Sequence, residues 1–125
     1  MANSKTRSGT TNQSDGTKLT QQAYTVIDSM TYAATITTNC ANGNVHRVTL
    51  TGNATLNTPT NPQPGFHTWI FEQDTTGSRT LGLTSAFEFP GGTTITLSTA
   101  GQSKDVMTAL YDGSNWLVVE VLDFQ

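Results

Sequence analysis

The chain has a single cysteine, Cys40, in 125 residues. No intrachain disulfide can form, and no cysteine-rich metal site can be built. Charge is scarce too. Asp, Glu, Lys and Arg make up 12% of the residues, roughly half the usual share of about 25%. The two histidines, His46 and His67, each fall inside a strand pattern, where a half-exposed structural residue is the plainer reading than a general base. There is no G-x-S-x-G nucleophile elbow, no D-x-[DN]-x-[DN]-G calcium loop and no phosphate-cradling glycine loop. With two histidines and one cysteine scattered along the chain, no metal and no cofactor is expected. No stretch approaches the roughly 18 apolar residues of a membrane span. The opening "MANSKTRSGTTNQSDG" lacks the apolar run of a signal peptide. The expectation is a chain made in a cytoplasm, with no membrane partner.

Threonine takes the place of charge, at 25 of the 125 positions. Its β-branch favours strands, and its hydroxyl keeps an exposed strand face wet without a charge. The net charge of −3 is unevenly spread. Lys5, Arg7 and Lys18 face only Asp15 in the first twenty residues, whereas Arg47, Arg79 and Lys104 face eight acids in the remainder. Three dispersed basic residues with no aromatic among them make no nucleic-acid footprint. Residues 1–22 read as an extended polar arm, unable to offset its ordering entropy alone. An arm of that length can reach a neighbouring subunit.

Residues 23–125 read as the folded domain. Short strand patterns recur at 33–38, 45–51, 54–57, 67–73, 78–83, 86–89, 93–97, 105–111 and 116–122, separated by Gly-, Pro- and Asn-rich turns. In "VHRVTLT" (45–51), His46, Val48 and Leu50 share one face. "DGSN" (112–115) joins the last two strands as a hairpin. The fold class expected is all-β, an antiparallel β-sandwich or jelly-roll-like domain of about eight strands. "QDTTGSRTL" (73–81) reads as a hairpin-length corner, with Asp74 capping the turn and Gly77 at positive φ.

Glu72, Asp74 and Glu88 are the carboxylates that a glycosidase would need, but turn capping and strand faces explain them more simply. Trp69, Phe71, Phe87, Phe89 and Trp116 suit a core, and Trp69 and Trp116 are also candidates for a subunit interface. Catalytic residues are therefore not assigned, and no enzyme is expected.

The ordered set "LTGNATL" (50–56), "NPQPG" (61–65), "QDTTGSRTL" (73–81), "FEFPGG" (87–92), "LST" (97–99), "KDV" (104–106) and "YDGSNW" (111–116) resembles a β-rich module of tailed-bacteriophage virion proteins. The resemblance spans roughly residues 33–122. It implies a structural role on the virion, in a capsid decoration (cement) protein or in a tail-fibre or receptor-binding region. With no shaft, heptad or collagen-like repeat before the domain, a cement protein on the outer capsid surface is the expectation. Its partners would be the major capsid protein and itself, as a homotrimer, with Lys5, Arg7, Lys18 and Tyr24 as capsid contacts. The alternative is a module that recognises the host surface, using the loops Asn39–Asn44, Asn61–Gly65 and Pro90–Gly92.

Overall fold

The computed structural model describes residues 26–124. Nine strands occur among them: β1 (Ile27–Ser29), β2 (Thr35–Ile36), β3 (Val45–Leu50), β4 (Ala54–Leu56), β5 (Gly65–Gln73), β6 (Leu81–Leu83), β7 (Phe87–Glu88), β8 (Lys104–Tyr111) and β9 (Trp116–Phe124). Alternation sets the inner face of each. His46, Val48 and Leu50 turn inward from β3, and His67, Trp69, Phe71 and Gln73 from β5. No helix of the described residues is long and apolar enough to cross a membrane.

The strands form a six-stranded sheet in the order β1-β3-β5-β8-β9-β7 and a three-stranded sheet β2-β4-β6. Through β1 to β7 the chain visits the two sheets in turn, so β1–β2, β3–β4 and β5–β6 are successive layers of a coil. Each layer lies parallel on the one before, with Ile27 opposite Val45, Val45 opposite Thr68, Thr35 opposite Thr55 and Ala54 opposite Leu81. A parallel pair needs a crossover; here the crossover is a strand of the other sheet rather than a helix. β8 and β9 close the coil as an antiparallel hairpin on β5.

The all-β expectation holds, but the antiparallel arrangement does not. Among the described strands only β5–β8 and β8–β9 run antiparallel. Period-two alternation fixes which face a side chain takes and carries nothing about the direction of the partner strand. The pattern at 93–97 also forms no strand. It crosses as an extended strap whose Leu97 is buried.

Both sheets contribute to one core. Ile36, Ala54 and Leu56 of the small sheet meet Val48, Leu50, Trp69, Phe71, Met107, Ala109, Trp116 and Val118 of the large one. A bulge between Thr108 and Ala109 puts one extra residue into β9. The inward phase of Trp116 and Val118 therefore passes to Val121, and Val119 is left exposed.

β5 ends at Gln73 and β6 begins at Leu81 in the other sheet, so residues 74–80 turn a corner between sheets and do not form a hairpin. The local expectations do hold. Asp74 Oδ1 accepts from the Gly77 amide at 3.0 Å, and Gly77 sits at φ +76°. A Cβ on Gly77 would stand 2.4 Å from the Thr99 carbonyl oxygen, and one on Gly101 2.4 Å from that of Thr75. The corner and the 99–102 turn touch backbone to backbone, which only glycine permits. Arg79 donates to Asp74 through Nε (3.2 Å) and Nη2 (2.8 Å). That hydrogen bonding, with the Gly77 and Thr76 amides, holds the Asp74 carboxyl below its ordinary value of 3.8. A depressed folded-state pKa stabilises above the unfolded value and is lost as pH falls through the folded one. Thermal unfolding from pH 6 down to 2.5 is therefore expected to show an acid loss of Tm below about pH 3.8 that is shallower in Asp74→Asn. An equally steep loss in the variant would place the acid sensitivity elsewhere.

Candidate functional site

The coil brings together residues that the sequence holds far apart. Cys40 starts a short 3-10 turn (Cys40–Asn42) capped by Asn39, whose side chain accepts from the Ala41 amide at 3.0 Å. Its own amide donates to the Thr60 carbonyl, which ties the turn to the next layer. His46 lies opposite Trp69 in the β3–β5 register, and His67 is two residues before Trp69 on the same inner face. Cys40, His46 and His67 are all buried, and one ligand atom from each lies within 4.8 Å of the others. From the sequence these residues are expected to be scattered, with both histidines half-exposed. The structure corrects this: parallel stacking sets side by side positions about one layer apart, a neighbourhood that linear spacing does not display.

Each imidazole has one nitrogen held. His46 Nδ1 lies 2.8 Å from Asp28 Oδ2, with Asp28 directly opposite it on β1. His67 Nε2 lies 2.9 Å from the Gln63 carbonyl oxygen. The other nitrogens, His46 Nε2 and His67 Nδ1, are buried without a hydrogen-bond partner. The rings pack on aromatic neighbours, His67 edge-on to Trp116 at 4.9 Å and His46 tilted on Trp69 at 5.5 Å. Burial lowers the pKa of His46 despite the opposing hydrogen bond from Asp28, which keeps the ring neutral. Burial, reinforced by the Asp28 charge, pushes the Cys40 thiol up to about 11. Of the described residues these three could hold a metal ion.

A second feature is an open cleft of about 490 Å³ between the 93–98 strap and β9. Phe89, Ile95 and Val119 give it apolar surface, and Thr94, Thr96 and Asp123 give it polar surface. It is anchored by Ser98, whose amide donates to Asp105 at 2.9 Å and whose hydroxyl, with one proton to give, lies between the carboxylates of Asp105 and Asp123. Of the loops singled out from the sequence, Asn39–Asn44 and Asn61–Gly65 lie together, joined by Asn61 Nδ2 donating to Asn39 Oδ1 at 2.9 Å. Pro90, of the third loop, lines the cleft.

The other sequence candidates fall differently. Lys5, Arg7, Lys18 and Tyr24, with the whole 1–22 arm, lie outside the described residues. Trp69 and Trp116 are 0% and 1% exposed. Their rings meet at 5.4 Å and 75° in the core, and Trp69 Nε1 donates to Thr38 Oγ1. Neither offers surface to another subunit, which corrects their assignment as interface residues. Glu72 is paired with Arg47 at 3.3 Å and Lys104 at 3.9 Å, Asp74 with Arg79, and Glu88 accepts from Asn115.

Comparison with curated proteins and with solved structures finds no match. A family model does match, over residues 31–116, from the turn before β2 to the first residue of β9. That span takes in the ordered motifs from "LTGNATL" to "YDGSNW" and agrees with the virion module they resemble. The protein is a phage structural component, and the chain belongs to the family described as "Putative phage tail fibre C-terminal domain".

Proposed function

We propose that this chain works at the tail of the virion as a host-facing, non-catalytic module that binds the bacterial cell surface. The observation that carries the reading is the family match over residues 31–116, because a tail fibre's C-terminal domain is the part placed to meet the host. The match favours the tail over the capsid surface. The decoration reading leans on the polar arm, whose Lys5, Arg7, Lys18 and Tyr24 lie outside the described residues. The cleft beside β9 suits a carbohydrate. Thr94 and Thr96 offer hydroxyls that donate and accept, and Phe89 and Ile95 offer the apolar surface that a sugar face covers. Glu72 and Asp74 are each engaged with a cation and Glu88 accepts from Asn115, and these engagements support a module without hydrolytic chemistry.

Immunogold labelling of intact virions with an antibody to this chain tests the position. Gold confined to tails is the expected result. Gold spread over the heads would replace the tail reading with capsid decoration.

A further inference from the structure

We propose that Cys40, His46 and His67 bind one divalent transition-metal ion of the zinc class, with Asp28 and the Gln63 carbonyl orienting the two imidazoles. The inference is independent of where on the virion the chain sits.

Tautomers decide which nitrogens are free. A carboxylate accepts, so the proton of a neutral His46 sits on Nδ1, facing Asp28 Oδ2 at 2.8 Å. A carbonyl also only accepts, so the proton of His67 sits on Nε2, facing the Gln63 oxygen at 2.9 Å. The two nitrogens left over, His46 Nε2 and His67 Nδ1, are then both lone pairs. Both are buried without a partner, in residues that are 0% and 4% exposed. They share their neighbourhood with the one cysteine of the chain. A buried polar atom without a partner is costly, so two of them on one site call for an electrophile. Two imidazole lone pairs and a thiolate are the donor set of zinc and its neighbours, and the wrong one for calcium or magnesium, which take oxygen. The carboxylate–histidine pair and the carbonyl–histidine pair are the outer contacts that usually orient metal-bound histidines.

The spacing fits with a small contraction. Metal–ligand bonds of about 2.0–2.3 Å in a tetrahedron put the donor atoms roughly 3.3–3.8 Å apart. One nitrogen of each imidazole and the Cys40 sulfur lie within 4.8 Å of one another, so closure needs about 1 Å of movement, within the range of a cysteine rotamer change in a short turn. The fourth position falls to water. As the sulfur–metal bond forms, the thiol proton leaves to solvent. The ion would pin the Cys40 turn, part of the Asn39–Asn44 loop that Asn61 joins to the Asn61–Gly65 loop, to β3 and β5. It would do for this coil what a disulfide does for other small domains.

The test uses the full chain, stripped with a chelator and titrated first with Co²⁺ and then with Zn²⁺. The expected result is one Co²⁺ per chain, with a thiolate-to-cobalt charge-transfer band that Zn²⁺ abolishes by displacement. Zn²⁺ should also raise the Tm of the stripped protein. Asp28→Asn is expected to keep the band and to weaken Zn²⁺ binding about 10–100-fold, as a positioning residue should. Cys40→Ala should lose the band while far-ultraviolet circular dichroism stays that of the wild type. If that variant does not fold, the wild-type spectrum decides alone. A wild-type chain with no thiolate band and a Tm unmoved by Zn²⁺ would overturn the proposal and leave a buried water as the partner of the two nitrogens. Cobalt bound through nitrogen and oxygen only would overturn it as well.

Discussion

Trp69→Ala is expected to destabilise the fold by about 3–5 kcal/mol, the range for emptying a fully buried tryptophan site. The indole is 0% exposed and stands at the centre of the core, with ring contacts to His46, His67, Phe87 and Trp116. Its neighbours come from β3, β5, β7 and β9, so collapse into the cavity would have to move several strands at once. A domain of this kind has about 5–15 kcal/mol in total, and a loss of that size brings the chain near its folding limit. Trp69→Phe separates packing from polarity. It keeps a ring but removes the indole donor that Thr38 Oγ1 accepts at 3.0 Å. Thr38 Oγ1 retains a sulfur contact with Met30 at 3.3 Å, so the milder variant should cost about 1–3 kcal/mol. Urea unfolding followed by far-ultraviolet circular dichroism reads both. A Trp69→Ala loss below about 1 kcal/mol, no more than an average substitution costs, would mean that the site collapses freely or that the indole is not in the core.

The same residue shows how far the sequence can be read. Trp69 lies in "HTWIFEQ", whose alternation announces a strand and the face that His67, Trp69, Phe71 and Gln73 share. The "DGSN" hairpin and the positive φ of Gly77 are equally legible, because Asp, Asn and Gly impose their turn geometry locally. What lies across the strand is not. Whether the inner face meets another sheet of the same chain or another subunit depends on how far the chain coils, and Trp69 and Trp116 are sealed inside one chain. Strand direction is hidden for the same reason. His46 and His67 look like isolated polar residues in apolar strands until β3 and β5 are laid parallel in register, when both fall beside Cys40. The signal available is their shared inward phase with Val48, Leu50 and Trp69, a phase that forbids a half-exposed environment. "TTITL" misleads in the opposite sense. Its β-branched alternation is real, and Leu97 is buried, but the segment bridges the 90–92 turn and β8 without a ladder of its own. The virion family is legible through the order of its motifs, of which "NPQPG", "QDTTGSRTL", "FEFPGG" and "YDGSNW" hold turns between strands.

Gln73→Glu is expected to cost about 3–5 kcal/mol at pH 7, the range for an uncompensated buried charge, although the two side chains are nearly isosteric. Gln73 is the first residue of "QDTTGSRTL" and is 2% exposed. Its Nε2 donates to the Arg79 and Ser98 carbonyls, both at 2.9 Å, and its Oε1 accepts from the Arg79 amide at 2.9 Å. One carboxamide thereby ties the sheet-changing corner to the strap that leads into β8. A carboxylate there would aim an acceptor at two carbonyls that require a donor, and the guanidinium of Arg79 at the same corner is already engaged by Asp74. The sign of the pH dependence follows. Desolvation and two facing carbonyls raise the folded-state pKa of the new acid above the unfolded value of about 4.3. Folding then favours the protonated form, whose single O–H restores one of the two donations. Stability is greatest below about pH 4.3 and falls as pH rises through the raised folded value, opposite in sign to the contribution of the adjacent Asp74. Gln73→Leu removes the donors without adding charge and should cost about 1–3 kcal/mol per unsatisfied group, with no new pH dependence. Ser103 Oγ gives its one proton to the Ala100 carbonyl at 2.7 Å, with the Ser98 carbonyl farther off at 3.4 Å, so the loss in Gln73→Leu falls on the Ser98 carbonyl as well as on the two Arg79 backbone groups. Urea unfolding of both variants at pH 4.5 and pH 7 separates the cases. A Gln73→Glu protein as stable as the wild type at pH 7 would show that the carboxamide does not bridge the corner and the strap, and that Asp74 and the paired glycines hold it unaided.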